Sequence, residues 1–400
     1  MRTTPESLRK NLVERLRVNE GVVGERVLDA FGSVPRHLFL PGVPVDEAYE
    51  DLPIVIKRDG EGKPISSSSQ PAIMALMLEQ LALEPGLRVL EIGAGTGYNA
   101  ALMHRLVSPG GEVVSVDIDA DLVAGARENL DRAGYPGVTV VRADGAEGRA
   151  ERAPYDRVIA TVGVWDLAPA WFDQLAPGGR IVVPLDLGGP QRSVAFEAED
   201  GHWASRSVLP CGFMRIRGSF AGPEQTRVLN RDTEFTITLP HGGEHDPRAL
   251  PAAFAGPAVR VPVGVAVDPR ALFGGLGLWI AGREPAWCLL TESTGAETAS
   301  LPEAPLTMRD QRYTAGLLAP DGIAVFAGRT ELAAVGYGPA GGERAHALAS
   351  LVRDWDAAGR PGDRGLRVDA YPVAGPEAVP AGGPVIEKTH TRLVLSWSPA

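Results

Sequence analysis

The sequence predicts an α/β protein: a mostly parallel seven-stranded sheet with helices on both faces, followed by a smaller C-terminal α+β domain. Three observations predict it. Short apolar runs and helical segments alternate strictly over residues 88–183, as a parallel sheet covered by helices requires. The first apolar run ends in a glycine-rich turn, Gly93 to Gly97, directly before a helical segment. After Pro184 the pattern changes to short alternating segments, which read as antiparallel strands. A length of 400 residues allows two or three domains.

The elements follow in order. Residues 5–31 read as helical, because Leu8, Leu12, Leu16, Val23, Val27 and Phe31 recur at roughly helical spacing. Pro35 ends that stretch. Pro71 follows four serines and suits the first turn of a helix over residues 72–83. Strands are expected at residues 88–92, 113–116, 138–141, 155–160 and 180–183, with helices at 98–106 and 121–133. Antiparallel strands are expected at 193–196, 205–209 and 234–239. Residues 223–262 are rich in proline, glycine and charge, with weak periodicity, which places a boundary near residue 225. Beyond it lie apolar runs at 276–280, 287–290 and 323–326, a helix at 342–358 and a last strand at 392–397.

Composition bounds the function. Apolar residues make up 44% and charged residues 22%, as in a globular chain. The 48 glycines and 34 prolines have no period, which excludes collagen. A net charge of −11 disfavours a general nucleic-acid binder, so no nucleic-acid partner is expected. Cys211 and Cys288 are isolated, cannot form a zinc cluster, and read as reduced thiols. No metal is expected. Residues 1–17 are charged throughout and lack the apolar core of a signal peptide. No 18-residue apolar run exists, so no membrane span is expected. The expected location is the cytoplasm.

The strongest chemical signal is Val89-Leu90-Glu91-Ile92-Gly93-Ala94-Gly95-Thr96-Gly97. Glycines after a strand let a ligand approach the backbone closely. A dinucleotide fingerprint would put its third glycine where Tyr98 stands. The spacing is closer to the Gly-x-Gly-x-Gly loop of S-adenosylmethionine-dependent methyltransferases. Asp117 ends the second strand, where a carboxylate can accept both ribose hydroxyls. Asp144-Gly145 ends the third, where an acid can accept the adenine amino group. Either acid alone reads equally well as a helix cap. All three features lie at the carboxyl ends of successive strands, where open α/β sheets bind ligands.

Ile65-Ser66-Ser67-Ser68-Ser69-Gln70-Pro71 is the second signal; by composition alone it reads as a linker. Here the chain resembles the protein-L-isoaspartate O-methyltransferase family. Val34-Pro35-Arg36-His37-Leu38-Phe39 and Ala48-Tyr49-Glu50-Asp51 match upstream. Leu90-Glu91-Ile92-Gly93, Asp144-Gly145, Tyr155-Asp156 and Pro177-Gly178-Gly179-Arg180-Ile181-Val182-Val183-Pro184 match downstream. The resemblance covers about residues 5–220. It implies a Rossmann-like class I methyltransferase fold and the cofactor S-adenosyl-L-methionine, with S-adenosyl-L-homocysteine as product. It assigns the cofactor to Glu91, Gly93, Ala94, Gly95, Thr96, Gly97, Asp117, Ile118, Asp144 and Gly145. Ser66, Ser67, Ser68 and Ser69 become the catalytic loop, and Tyr49, Gln70, Thr161 and Val162 the substrate contacts.

The departures shape the expected substrate. The family loop reads Gly-Gln-Thr-(Ile/Val)-Ser-(Gln/Ala)-Pro, so Ser67 takes the threonine position and Ser69 the serine. Thr161-Val162-Gly163-Val164 replaces a small alanine-rich segment. About 180 residues follow the resembling part. This pattern resembles the family's peptide-tailoring homologues, which methylate an aspartate in a lanthipeptide, lasso peptide or ω-ester-linked precursor. The partner implied is such a modified precursor peptide; monomer and homodimer both stay open. The alternative is repair of isoaspartate in damaged proteins. A cofactor-binding scaffold without catalysis is a third reading. The division implied is residues 1–80 (helical and substrate-loop region), 81–225 (cofactor core) and 226–400 (C-terminal domain for peptide recognition). Aromatic residues there, such as Trp279, Trp287, Trp355 and Trp397, are core more often than ligand contacts.

Overall fold

The computed structural model describes residues 4–243, 250–295, 299–301, 303–308, 310–329, 331–374 and 383–398. Two helices open the chain, α1 (Pro5–Val18) and α2 (Glu25–Ser33), where helical spacing suggested one stretch. Thr4 caps α1 in a reciprocal bond with Ser7. Asn19 ends α1, and Gly21 at φ 70° turns the chain between the two. Next come α3 (Val45–Ala48), the hairpin β1 (Ile54–Arg58) and β2 (Pro64–Ser68), and α4 (Pro71–Leu81), with Pro71 in its first turn.

The alternation then runs as expected: β3 (Arg88–Ile92), α5 (Tyr98–Val107), β4 (Glu112–Asp117), α6 (Ala120–Ala133), β5 (Thr139–Arg142), β6 (Tyr155–Ala160), α7 (Pro169–Asp173), β7 (Leu175–Asp186), β8 (Gln191–Glu199) and β9 (His202–Cys211). The stretch of weak periodicity holds β10 (Gln225–Asn230), β11 (Phe235–Leu239), α8 (Leu250–Phe254) and β12 (Ala258–Pro262). The run at 276–280 is helical, α9 (Gly275–Ala281). It is followed by β13 (Trp287–Ser293), β14 (Leu306–Met308), β15 (Gln311–Ala319), β16 (Gly322–Ala327), β17 (Ala333–Tyr337) and α10 (Gly341–Ala357). The last strands are β18 (Leu366–Pro372), β19 (Val385–Glu387) and β20 (Thr391–Trp397).

The main sheet has the order β5-β4-β3-β6-β7-β8-β9-β18-β20-β19. The first five are mutually parallel, and the rest pair antiparallel. The seven strands expected from the first half are present. Three more come from the far end of the chain, giving ten. β18 lies against β9 through Asp369 opposite Ala204 and Ala370 opposite Trp203. This pairing crosses the boundary expected near residue 225. The physical reason is that β9 would otherwise leave a row of unpaired backbone groups at the edge.

Strand alternation divides the core in two. Val89, Val113, Ile159 and Val182 face α1, α2, α4, α5 and α6. Leu90, Val114, Val158, Ile181 and Val183 face the other way, toward Trp171 of α7, Leu278 of α9, and Val368, Leu393 and Leu395 of the returning strands. Each fully buried Leu or Val adds about 1.5–3 kcal/mol of transfer free energy. The second sheet is antiparallel, in the order β10-β11-β13-β15-β16-β17-β12, with β14 on β15. Leu348, Ala349, Val352 and Trp355 of α10 pack on Leu317, Ala324 and Phe326. Among the described residues, no helix is long and apolar enough to cross a membrane.

Candidate active site

A cavity of about 330 Å³ opens at the carboxyl ends of β3, β4, β5 and β6. β3 sits between β6 and β4, so the site lies where the strand order reverses. Its volume falls in the range of small-molecule sites, about 300–1,000 Å³. Its floor is the turn after β3. Gly93 has φ 102°, and a Cβ there would lie 2.8 Å from Thr161 Oγ1. Gly97, at φ 82°, caps α5, where a Cβ would come within 3.2 Å of the Ala126 carbonyl. Side chains other than hydrogen would close this turn.

Asp117 lines the cavity and is only 8% exposed. Its Oδ2 accepts the Gly95 N–H at 3.0 Å and its Oδ1 the Asp119 N–H at 3.2 Å. Burial raises its pKa, and those two N–H groups hold the rise back. Asp119 itself is held below the usual carboxylate range by Arg217, with help from Lys57. Arg217 lies 2.6 Å and Lys57 3.0 Å from its Oδ2. A glycine floor and a buried carboxylate at one side of an enclosed cleft suit an adenosyl cofactor. Thr161, by contrast, uses its hydroxyl internally, donating to Gly93 O at 2.7 Å.

The four serines are not a linker. Ser66, Ser67 and Ser68 form most of β2, with Ser67 opposite Val55 and Ser68 opposite Ile54. Ser69 follows, and all four line the cavity with Gln70. Asp51 anchors this loop: its oxygens accept Gln70 Nε2 and the Ala72 N–H, both at 2.8 Å. Ala94, Gly95, Thr96, Ile118, Gly145, Thr161 and Val162 also line the cavity.

Four of the expected residues stand behind the wall. Glu91 is fully buried and accepts Asn99 Nδ2 at 2.8 Å and Ser115 Oγ at 2.5 Å. Burial lifts its pKa to about 7. Its side chain therefore acts on the cavity through Asn99, which does line it. Asp144 accepts the Ala146 N–H at 3.0 Å and the Ser219 N–H at 2.8 Å. Burial would raise its pKa, but these backbone donors bring it below the usual range. Tyr49 is 1% exposed, with its hydroxyl 2.9 Å from His37 Nδ1. Gly97 serves as the cap of α5.

Sequence reading missed one whole wall. Residues 210–217 line the cavity. The segment is sewn to Gly163, whose N–H donates to Met214 O and whose carbonyl accepts the Ile216 N–H, both at 2.8 Å. It carries no motif, and only its contacts reveal it. Arg215 in this wall lies 2.6 Å from Asp186 Oδ2. Burial would raise the Asp186 pKa, but Arg215, Lys388 and two N–H groups of the following turn hold it down. Lys388, between β19 and β20, is fully buried 3.9 Å from Asp186 Oδ1, and burial pulls it to about 8. The neighbouring His390 N–H and Thr391 Oγ1 both donate to Asp166 at 2.6 Å. The end of the chain is thus pinned beside the cavity wall.

The family model described as protein-L-isoaspartate(D-aspartate) O-methyltransferase matches residues 7–219. A protein-L-isoaspartate O-methyltransferase of Hyperthermus butylicus is 42% identical over 226 residues, covering 54% of this chain and 91% of its own. One of Thermotoga maritima is 40% identical over 217 residues, 53% of this chain and 68% of its own. A solved protein-L-isoaspartate O-methyltransferase matches with a TM-score of 0.53 and 26% identity, over 98% of this chain and 100% of that one. A glycine floor, a buried acid at the end of the next strand and a methyltransferase-type sheet agree with these likenesses. The chain belongs to the protein-L-isoaspartate(D-aspartate) O-methyltransferase family and is an S-adenosylmethionine-dependent carboxyl O-methyltransferase.

Proposed function

We propose that this protein methylates the free carboxylate of L-isoaspartyl residues in proteins and peptides. The observation that carries this reading is the likeness of nearly the whole chain to a solved protein-L-isoaspartate O-methyltransferase, with a serine-lined cavity end continuous with the glycine floor and Asp117 to take the substrate. Bound S-adenosylmethionine supplies a methyl group activated by its sulfonium. Gly93, Gly95 and Asp117 hold the cofactor. Hydroxyls from the Ser66–Ser69 loop donate to one substrate carboxylate oxygen and leave the other to attack. No base is needed, because a carboxylate is already ionised at neutral pH. No His, Lys or Glu lines the cavity among the described residues. The chain works by positioning and by excluding water. The following amide nitrogen then attacks the ester carbonyl and expels methanol, leaving a succinimide. A cytoplasmic location belongs to this reading, since Cys211 and Cys288 are free thiols.

A second reading is methylation of ordinary aspartate in a ribosomally made precursor peptide, leading to aspartimide. It is favoured by the serines at positions 66–69, which depart from the family loop. The long C-terminal part no longer favours it, because the solved isoaspartate methyltransferase aligns with 98% of this chain. Paired peptides of one sequence, one isoaspartyl and one aspartyl, separate the readings by methanol release. The proposal expects kcat/KM to favour the isoaspartyl peptide strongly; methylation of the aspartyl form alone, in a constrained peptide, overturns it. Replacing Ser67 and Ser69 together by Ala should lower kcat/KM by about 100-fold or more, as two lost bonds to a charged group imply. Unchanged turnover would remove the serines from the mechanism.

A further inference from the structure

Arg36 is fully buried, and no carboxylate pairs with it among the described residues. Its Nε donates to Ala48 O at 2.9 Å and a terminal nitrogen to Ser69 O at 3.0 Å. The other terminal nitrogen meets, among the described residues, Met74 Sδ at 3.9 Å. Its Cζ lies 5.0 Å from the centre of the Tyr98 ring. Ser69, Met74 and Tyr98 all line the cavity. The guanidinium therefore stands one side chain behind the wall, at the serine end.

The nearest acid acts on this charge only at a distance, with no hydrogen bond to the guanidinium. Asp51 acts on Arg36 from a distance, and both its oxygens are bonded elsewhere, to Gln70 and Ala72. Arg192 makes the contrast. It is 2% exposed, and it pairs with Asp363 at 2.7 Å. A buried cation bonded to carbonyls but in contact with no carboxylate is still costly. An anion entering the cavity would offset that cost, so the site favours anionic ligands over neutral ones of the same shape.

We propose that Arg36 is a positioning residue that selects a carboxylate: its buried charge draws a carboxylate to the serine end of the cavity, while its bond to Ser69 holds the loop. This rests on the methyltransferase reading above. Two ligands carry such a group, the isoaspartyl substrate and the amino-acid end of the cofactor.

The test uses the full chain with Arg36→Gln, Arg36→Met and Arg36→Lys. Two neutral variants guard against one that does not fold. Titration calorimetry measures S-adenosylhomocysteine and 5′-methylthioadenosine, which shares the nucleoside but lacks the carboxylate. Kinetics gives KM and kcat for an isoaspartyl peptide. A neutral variant should weaken one carboxylate ligand about 10- to 50-fold, as a unit charge several ångströms away implies. Arg36→Lys should recover most of that loss, and 5′-methylthioadenosine should bind unchanged. A fall in S-adenosylhomocysteine affinity assigns the cofactor carboxylate; a rise in KM alone assigns the substrate. Equal losses for both nucleosides, or no loss anywhere, overturn the proposal. If the wild type ignores the isoaspartyl peptide, the functional reading fails and the two nucleosides alone decide the role of Arg36.

Discussion

The two sheets differ in what they bury. Around the ten-stranded sheet, Arg36, Glu91, Asp117, Asp166, Asp186, Arg192 and Lys388 are all buried. In the eight-stranded sheet, Glu292 is the buried charged residue among those described. Its oxygens accept the N–H groups of Ser300 and Leu301, so it serves a turn. Buried charge costs stability and persists where a site needs it. The first sheet carries chemistry, and the second is built by packing. They are not consecutive domains, however. The second sheet lies between β9 and β18 in the chain, and the chain then returns to complete the first.

The largest effect should come from that return. Leu395 and Leu348 are both fully buried leucines of the second half, one in each core. Each change to Ala should cost about 2–5 kcal/mol. Leu395→Ala should weaken the ten-stranded sheet and lower S-adenosylhomocysteine affinity in calorimetry. Leu348→Ala should leave that affinity alone. Equal effects on affinity would break the distinction between the sheets.

A smaller effect should follow pH. Glu91 has a folded pKa of about 7, above its ordinary 4.5, so folding favours its protonated form. Its contribution is full below pH 4.5 and is lost as pH rises to about 7. The loss is about 3 kcal/mol at most. Denaturant melts of wild type and Glu91→Gln should diverge over that window, in the first sheet's transition. Parallel pH profiles would mean that Glu91 is not the group that titrates.

The smallest effect belongs to the second unit's surface. Arg260 and Glu303 pair at 2.6 Å, with side chains 49% and 60% exposed. Arg260→Ala should cost less than about 1 kcal/mol and leave methyl transfer unchanged. A drop in turnover would show that the second unit reaches the chemistry.

Much of the site was legible because its signals are local. Gly93 and Gly97 occupy backbone conformations that other residues rarely adopt. Asp117 ends a strand next to them. Glu91 and Asp144 have the right place in the chain, yet Asn99, Ser115 and Ser219 take up their oxygens. Arg36 was visible as part of a motif, but its isolation from any acid shows only when burial and partners are known. Residues 210–217 carry no local signal at all.

By itself the sequence determined the local conformations: where strands and helices run, where the chain turns on glycine, and which side of each strand is apolar. Tertiary structure decided the partners. A period of two says which side chains of β18 and β20 face a core, but not which core. Edge β9 had to be paired, and the strand that pairs it, β18, is more than 150 residues away in sequence. Burial likewise decided which charges stand alone, because the cost of a charge depends on everything that displaces water from it.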